Sequence, residues 1–302
     1  MISPYPYPHQ KIISPESHSQ NLEIIVKRLD LIHPLISGNK FFKLKYNLIE
    51  AVHRGHDTLL TFGGAYSNHI QASAAAAKAA QLKAIGIIRG EKQKILNPTL
   101  ATAEENGMLL SYMDRESYRK KDLKETIEAL HQQFGKFFLI PEGGTNELAI
   151  KGCKEIINEK DRQMDFICAS IGTGGTITGL LGAASERQKV LGFSSLKGHF
   201  ILNEIDHLLA KYGVQPKCAY EIFTEYHFGG YAKHKPELLN FIKAFNNQYQ
   251  IPLDPIYTGK LFYGVFDLIQ KGYFPSGSKI MLIHSGGLQG IEGFNQRHNE
   301  SL

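Results

Sequence analysis

The chain has 302 residues, of which 42% are hydrophobic and 21% charged, and its formal net charge is +5. This composition is typical of a folded globular protein and excludes a disordered chain. The basic residues form no long block, so no nucleic-acid or membrane-surface partner is predicted. The N-terminus has no apolar signal region and no run of about 18 apolar residues follows, so we expect a cytoplasmic protein.

Cysteine and histidine give no sign of a redox or metal site. Cys153, Cys168 and Cys218 are an odd number without CxxC or CxxH spacing, and we predict that they are reduced core residues. The 13 histidines include no HExxH or comparable pair. Solvated or core histidines account for them, and no metal is predicted.

The first half of the chain alternates predicted strands and helices. After an irregular lead, residues 21–30 have the pattern of a strand and residues 41–55 that of a helix. Further strands are predicted at 57–64, 83–90, 108–113 and 136–144, and helices at 67–81, 97–107 and 122–135. This alternation predicts a parallel sheet wrapped by helices.

The same rhythm continues in the second half. Helices are predicted at 147–159, 176–187, 233–250 and 259–274, and strands at 164–172, 189–196 and 278–287. No linker-like segment separates two halves of the chain. We therefore expect domains that share a cleft and are interleaved in sequence.

Lys40 is the first candidate catalytic residue. A turn containing Gly38 lies between a predicted strand and a predicted helix, which places Lys40 at the carboxyl end of a strand, where α/β sheets bind ligands. An amine there can hold a cofactor aldehyde as a Schiff base. Lys43 lies one helical turn later and can reach a phosphate from the same face. A solvated loop lysine is the alternative.

The segment SIGTGGTITG is a candidate phosphate site. An apolar strand leads through Gly172, Gly174 and Gly175 into a helix that begins near Thr176. Glycines let backbone amides converge, and a helix N-terminus favours an anion. The segment lacks the GK[ST] ending of a nucleotide P-loop and the GxGxxG spacing. A strand–turn–helix joint with packing glycines is the alternative.

The segment GGAYSNHIQ is a candidate substrate site. Ser67 opens the predicted Ala-rich helix and is either an N-cap alone or a cap that also binds a carboxylate with the free amides of the helix. Asn68 can donate to the 3-hydroxyl oxygen of a pyridoxal ring. Tyr231 and Tyr257 are further candidates, with core aromatic residues as the alternative.

Five segments in this order, GNKFFKLKY, TFGGAYSNH, GTGGTITG, LDPIYTGKLFYG and LIHSGG, resemble the fold-type II pyridoxal phosphate (PLP) enzymes. The resemblance is to the D-cysteine desulfhydrase and 1-aminocyclopropane-1-carboxylate (ACC) deaminase family, and it covers most of the chain from about Glu23. It implies a two-domain, tryptophan synthase β-like α/β fold, with parallel twisted sheets and helices on both faces. Residues 1–44 and 150–302 would form a larger PLP-binding domain, and 45–149 a smaller domain closing over the cleft. We expect a homodimer.

The resemblance also implies roles for single residues. Lys40 would hold PLP, Asn68 would contact the ring hydroxyl, and Tyr257 would lie against the ring. Ser67 would contact the substrate carboxylate, and Tyr231 would be a second active-site tyrosine. His69, in the same segment as Ser67, is either an acid or base or a spectator imidazole that contacts the substrate carboxylate. The phosphate would be held by Lys43 together with Gly172, Thr173, Gly174, Gly175 and Thr176.

The chain departs from the family pattern at several positions. The family usually has NKxRKLEY where this chain has NKFFKLKY, and Gln where this chain has His69. ACC deaminases have DPVYEGK and HLGG, whereas this chain has Thr258 and Ser285 in DPIYTGK and HSGG. Neutral hydroxyls hold a proton on the pyridine nitrogen less firmly than a carboxylate does.

A less strongly protonated ring favours α,β-elimination, in which the leaving group departs with the electron pair. We therefore predict elimination from a small β-substituted amino acid such as D-cysteine, with the Lys40 amine removing the α-proton. ACC deamination, cysteine synthase-like β-replacement and a non-catalytic PLP-binding or metabolite-binding protein are the alternatives. The segment GTGGTITG resembles more closely the cysteine synthase and threonine dehydratase side of the superfamily.

Overall fold

The computed structural model describes residues 2–302. The ten strands in this range are β1 (His9–Ile12), β2 (Glu23–Lys27), β3 (Thr58–Gly63), β4 (Lys83–Arg89), β5 (Met108–Met113), β6 (Phe138–Ile140), β7 (Phe166–Ile171), β8 (Lys189–Ser194), β9 (Ala219–Phe223) and β10 (Lys279–Ile283). The twelve α-helices are α1 (Pro15–Ser19), α2 (Asn39–His53), α3 (Asn68–Ala79), α4 (Pro98–Glu105), α5 (Arg115–Arg119), α6 (Lys124–Phe134), α7 (Glu147–Lys154), α8 (Gly175–Leu181), α9 (Phe200–Lys211), α10 (Pro236–Tyr249), α11 (Thr258–Gln270) and α12 (Gln289–His298).

The strands form two sheets. One has six strands in the order β1-β2-β10-β7-β8-β9, and the other has four in the order β5-β4-β3-β6. Only β1 runs antiparallel to its neighbour; the other pairs are parallel. The mixed α/β fold with parallel sheets and helices is therefore confirmed. In such sheets the carboxyl ends of the strands meet at one edge, which is where ligands bind.

Local composition explains why these segments form these elements. All six residues of β3 are buried, as are five of the six in β7, because parallel strands are covered on both faces and need continuous apolar runs. Helix α2 buries Phe41, Leu44 and Leu48 and exposes Val52, which is the pattern of an amphipathic helix. In α3 every residue from 69 to 77 is buried. Its alanines are small enough to let neighbouring elements pack closely around it.

Every predicted helix and strand is present, with shifted ends. The predicted strand at 136–144 is shorter: β6 is followed by a 3-10 turn at Glu142–Gly144. Six elements had not been predicted, namely β1, α1, α5, α9, β9 and α12. Most of them are short or lie at a sheet edge or chain end, where an apolar pattern is weak, although the 12-residue α9 does carry an amphipathic pattern.

The two sheets divide the chain in the way the domain prediction does. All six strands of the larger sheet lie within residues 1–44 and 150–302, and all four strands of the smaller sheet lie within 45–149. Helix α2 (Asn39–His53) crosses the predicted boundary at residue 44. We therefore propose the two-domain division itself and not that particular boundary.

Two further features concern the chain as a whole. None of the helices in residues 2–302 combines the length and apolar composition that a membrane crossing requires. Cys153, Cys168 and Cys218 are buried and free, as predicted. Burial raises the pKa of the Cys153 thiol and keeps it in the neutral form.

Candidate active site

A cleft with about 720 Å³ of empty space, including its open mouth, lies where the segments following β3, β7 and β10 meet. Twelve of the fourteen predicted site residues line it, namely Lys40, Lys43, Ser67, Asn68, His69, Gly172, Thr173, Gly174, Thr176, Tyr231, Tyr257 and Ser285. The other two, Gly175 and Thr258, do not. Residues far apart in the chain are thus brought to one place.

Lys40 is the second residue of α2, so its side chain leaves the first turn of that helix. Its Nζ donates a hydrogen bond to Oδ1 of Asn39 at 3.0 Å. Burial, and secondarily the nearby charge of Lys43, lower the pKa of Lys40 to about 7. A substantial fraction of the Lys40 amines is therefore unprotonated at neutral pH, as a nucleophile or a base requires.

A close backbone contact fixes the turn before Lys40. Gly38 has a φ of +66°, and a Cβ at this position would overlap the carbonyl group of Ser285. The amide of Asn39 donates to the same Ser285 carbonyl oxygen at 3.2 Å. Only glycine allows this approach. The GNK turn and the HSGG segment are therefore held in direct backbone contact at the cleft.

Lys43 is a buried cation surrounded by neutral oxygens. Its Nζ donates to the carbonyl oxygen of Gly143 at 2.8 Å and lies 3.2 Å from Thr145 Oγ1 and 3.3 Å from Thr173 Oγ1. Burial lowers the pKa of Lys43 to about 8. Within residues 2–302 no carboxylate lies within 4.0 Å of this ammonium. An anion beside Thr173 would neutralise it, which fits a phosphate.

Two residues that the sequence analysis did not select complete this part of the cleft. Asn39 donates from Nδ2 to Thr176 Oγ1 at 2.8 Å while its Oδ1 accepts from Lys40. Thr145 Oγ1 lies 2.7 Å from Thr173 Oγ1. The position of Asn39 next to Lys40 was a usable signal for its role. The position of Thr145 after a Gly-Gly pair that follows β6 was a much weaker signal.

The glycines of the predicted phosphate loop have packing roles as well. Gly174 is the N-cap of α8 and offers no side-chain cap, so the first amides of α8 have no side-chain partner. A Cβ at Gly174 would collide with Leu208 of α9, and one at Gly175 would collide with Thr145. The loop is therefore a packing joint, and the uncapped amides of α8 leave its predicted role as an anion site open.

Ser67 is the N-cap of α3, as predicted. Its Oγ accepts from the amide of Ile70 at 3.4 Å, which is long for a hydrogen bond. The hydroxyl lines the cleft together with Asn68. Since the capping bond is weak, the Ser67 hydroxyl is also available to a bound carboxylate.

His69 is buried, and its tautomer follows from its neighbours. Thr61 donates its single hydroxyl proton to the carbonyl oxygen of Ile140 at 2.8 Å, so the Nε2 of His69, 2.8 Å from that hydroxyl, must be the donor. Nδ1 is then an acceptor, and it has no partner. Burial and the charges of Lys40 and Lys43 hold the pKa of His69 well below its ordinary value. An acceptor cannot hydrogen-bond to a carboxylate, so the structure does not support that predicted role.

Tyr231 and Tyr257 lie side by side in the lining of the cleft. Their ring centroids are 6.1 Å apart and the rings are inclined by 63°. Burial raises the pKa of Tyr257 well above its ordinary value, so its hydroxyl stays neutral. Tyr231 is 45% exposed. Both tyrosines line the cleft, so neither is a residue of the closed core.

Thr258 is not available to a ligand, in contrast to the prediction. It is completely buried, and its hydroxyl donates to Oδ2 of Asp254 at 2.6 Å. The same hydroxyl accepts from the amide of Asp254 at 2.9 Å. Ser285 does line the cleft, with its Oγ 3.2 Å from Oγ of Ser170. The hydroxyls near a pyridine nitrogen would therefore come from these two serines.

These residues fit PLP. Lys40 offers an amine with a pKa of about 7, and Lys43 with Thr173 and Thr176 offers a place for the phosphate. Comparison with known proteins agrees, since residues 8–286 match the model of a family described as pyridoxal-phosphate dependent enzyme. The chain belongs to this family.

Individual relatives identify a group within this family to which the chain is similar. A protein of Pyrococcus horikoshii named "Putative 1-aminocyclopropane-1-carboxylate deaminase" is 32% identical over 281 residues, which cover 89% of this chain and 85% of that protein. The "Bifunctional D-cysteine desulfhydrase/1-aminocyclopropane-1-carboxylate deaminase, mitochondrial" of Arabidopsis thaliana is 32% identical over 300 residues, covering 89% and 73%. A crystal structure of an ACC deaminase homologue has a TM-score of 0.86 at 30% identity and covers 98% of this chain and 94% of that one.

The predicted family, the fold-type II architecture and the PLP cofactor are thereby confirmed. The protein is a PLP-dependent lyase of the ACC deaminase and D-cysteine desulfhydrase family, which sets aside the non-catalytic alternative.

Proposed function

We propose that the enzyme catalyses α,β-elimination from a small β-substituted amino acid, with D-cysteine as the representative substrate. D-cysteine and one water would give pyruvate, ammonia and hydrogen sulfide. The observation that carries the proposal is the absence of a carboxylate side chain from the cleft lining: none of the lining residues within residues 2–302 is Asp or Glu.

The absence of a lining carboxylate affects how firmly a pyridine nitrogen can hold a proton. Asp254 is buried nearby, but both of its oxygens are occupied. Oδ1 accepts from the amides of Ile256 and Tyr257 at 2.9 and 2.8 Å, and Oδ2 accepts from Thr258. The hydroxyls of Ser170 and Ser285 stabilise a pyridinium charge less than a carboxylate would. Bound PLP supplies the electron sink, and a moderate sink suffices when the leaving group carries away the electron pair.

The residues of the cleft can be given roles in this reaction. The unprotonated Lys40 amine takes the α-proton, for which a pKa of about 7 is suitable. Ser67 and the first amides of α3 hold the substrate carboxylate. Asn68 would donate to the ring hydroxyl oxygen of bound PLP. Tyr257 would form the wall against the ring, with Tyr231 beside it.

The test is a comparison of substrates on one preparation. We expect pyruvate from D-cysteine and little 2-oxobutyrate from ACC, with L-cysteine in a parallel assay and Lys40→Ala giving the background rate. ACC deamination is the second candidate, because the names of the relatives from Pyrococcus horikoshii and Arabidopsis thaliana include it. Faster release from ACC than from D-cysteine would favour that candidate and overturn the argument from ring protonation.

β-Replacement is distinguished by its need for a second nucleophile. Pyruvate formation in water alone would favour the lyase over a cysteine synthase-like reaction. We also propose a homodimer in the cytoplasm, as the family resemblance and the sequence suggested. Light scattering during gel filtration measures the molar mass in solution and so tests the homodimer.

A further inference from the structure

Lys260 is a second buried lysine without a carboxylate partner. It lies on α11 one turn after Tyr257 and is 1% exposed. Its Nζ donates to the carbonyl oxygens of His227 and Gly230, each at 2.8 Å. Burial lowers its pKa to about 8, so most of these side chains are charged at neutral pH. A buried cation of this kind needs its two carbonyl partners.

The two carbonyl groups belong to two consecutive turns. The amide of Gly230 donates to His227 O at 3.0 Å, and the amide of Lys233 donates to Gly230 O at 3.1 Å. Each carbonyl oxygen therefore accepts once within its turn and once from Lys260. The ammonium group joins both turns to α11.

The backbone of this loop is in a conformation that needs outside support. Gly229 and Gly230 have φ values of +100° and +114°, and two non-glycine residues, Phe228 and Ala232, have +51° and +55°. Left-handed backbone is unfavourable for residues with a Cβ and persists only when neighbouring contacts hold it. Phe228 packs edge-on against Tyr263 with 4.9 Å between ring centroids, which anchors the start of the loop.

Tyr231 is the second residue of the second turn, directly after Gly230. The residue as a whole is 45% exposed, while burial raises the pKa of its hydroxyl, which interacts with the side chain of Tyr257. Apart from this contact, the position of its ring depends on the backbone on either side of it. Lys260 bonds to the carbonyl group of Gly230, the residue directly before Tyr231.

We propose that Lys260 is a positioning residue that clamps the loop of residues 227–233 onto α11 and so places Tyr231 against Tyr257 at the cleft. The inference rests on the proposed function only for the role of Tyr231 in turnover. The clamp itself is a property of the protein chain and can be measured without substrate.

The experiment uses the PLP-loaded enzyme and Lys260→Met, which keeps the bulk of the side chain and removes the donors. The matched control is Lys189→Met. Lys189 also makes two hydrogen bonds, to Glu221 Oε2 at 2.7 Å and to the Tyr273 hydroxyl at 2.8 Å. It is the first residue of β8 and so lies at the amino ends of the parallel strands, opposite the cleft at their carboxyl ends. Hydrogen exchange of a peptide covering residues 227–233 is compared in all three proteins.

We expect Lys260→Met to accelerate exchange in residues 227–233, whereas Lys189→Met leaves this segment unchanged. In turnover of D-cysteine, Lys260→Met should lower kcat/KM about tenfold. When Lys260→Met is made in the Tyr231→Phe variant, kcat/KM should fall by less than a further factor of about two. The effects of two residues that act through one group are not additive.

The outcomes separate the clamp from the proposed function. Unchanged exchange in Lys260→Met would overturn the clamp, and losses in the double variant that multiply would overturn the placement of Tyr231 by Lys260. Faster exchange with full activity in both Tyr231→Phe and Lys260→Met would support the clamp and remove Tyr231 from the mechanism. If the wild type does not turn over D-cysteine, the proposed substrate is wrong and the exchange data alone decide on the clamp.

Discussion

Asn39 donates a hydrogen bond from Nδ2 to Thr176 Oγ1 at 2.8 Å and thereby joins the helix that carries Lys40 to the glycine-rich loop 137 residues later. The other side of the same amide, Oδ1, accepts from the Lys40 amine at 3.0 Å. One side chain thus orients both the Lys40 amine, which we propose binds the cofactor, and a hydroxyl beside the predicted phosphate position.

Asn39→Ala should therefore weaken PLP retention. A hydrogen bond contributes about 1 kcal/mol, so the loss of both should raise the Kd of PLP by about tenfold or more. Equilibrium dialysis of the apoenzyme against PLP measures this. Asn47→Ala is the control, since Asn47 lies on the same helix and bonds to Lys43 O and Asn146 without lining the cleft. An equal loss of affinity in both variants would show a general effect on α2.

We expect PLP to be attached to Lys40. Lys43 is its nearest competitor in the cleft, but its ammonium is held by Gly143, Thr145 and Thr173 and its pKa is higher, about 8 against about 7. Borohydride reduction followed by peptide mapping should place the cofactor on one peptide at Lys40. Attachment to Lys43 or Lys45 would refute the catalytic assignment.

The low pKa of Lys40 also predicts how the stability of the apoenzyme depends on pH. The pKa is about 7 in the folded chain and about 10.5 in the unfolded chain, so between these values the unfolded chain binds more protons. The free energy of unfolding then rises with pH in this window and falls as the pH drops towards 7.

Lys40→Met removes this contribution. Between pH 8 and 10 the free energy of unfolding should rise less steeply in the variant than in wild type, by up to about 1.4 kcal/mol per pH unit. Urea unfolding of both apoproteins at several pH values measures the difference. Parallel curves would mean that Lys40 titrates normally in the folded chain.

Ser67→Ala distinguishes a helix cap from a substrate contact. The capping bond is long, 3.4 Å, so we expect a stability loss at or below the lower end of the usual range, about 0.5 kcal/mol. A lost contact with the substrate carboxylate should reduce kcat/KM about tenfold or more, with PLP still bound. Asp114→Ala, which uncaps the exposed helix α5, is the control and should change stability alone. Normal kinetics in Ser67→Ala would leave Ser67 as a cap.

His69 should remain neutral over the range in which most histidines titrate. Its pKa is far below 6.5 because of burial and the charges of Lys40 and Lys43, and the proton resides on Nε2. Nitrogen NMR of the protein with labelled histidine should show one signal pair of the Nε2-protonated form that is constant between about pH 5.5 and 8. A midpoint near 6.5 for this residue would contradict the lowered pKa, and a signal pair of the Nδ1-protonated form would contradict the tautomer derived from Thr61.

The sequence by itself determined the alternation of strands and helices, the helix start at Ser67 and the lysine and glycine segments of the site. These signals are local: an apolar run for β3, an N-cap before α3, and glycines where β7 turns into α8. Local patterns also explain the missed β1, because a four-residue edge strand has little apolar periodicity.

The tertiary structure decided which of these residues are free to act. Thr258 and Ser285 are equivalent hydroxyls in the sequence, yet the fold places Asp254 against Thr258 and leaves Ser285 at the cleft. The bond between Asn39 and Thr176 and the clamp by Lys260 join segments that are far apart in the chain. The pKa of Lys40 depends likewise on burial and on Lys43. Burial and hydrogen-bond partners arise only when distant segments pack together, and no local pattern encodes them.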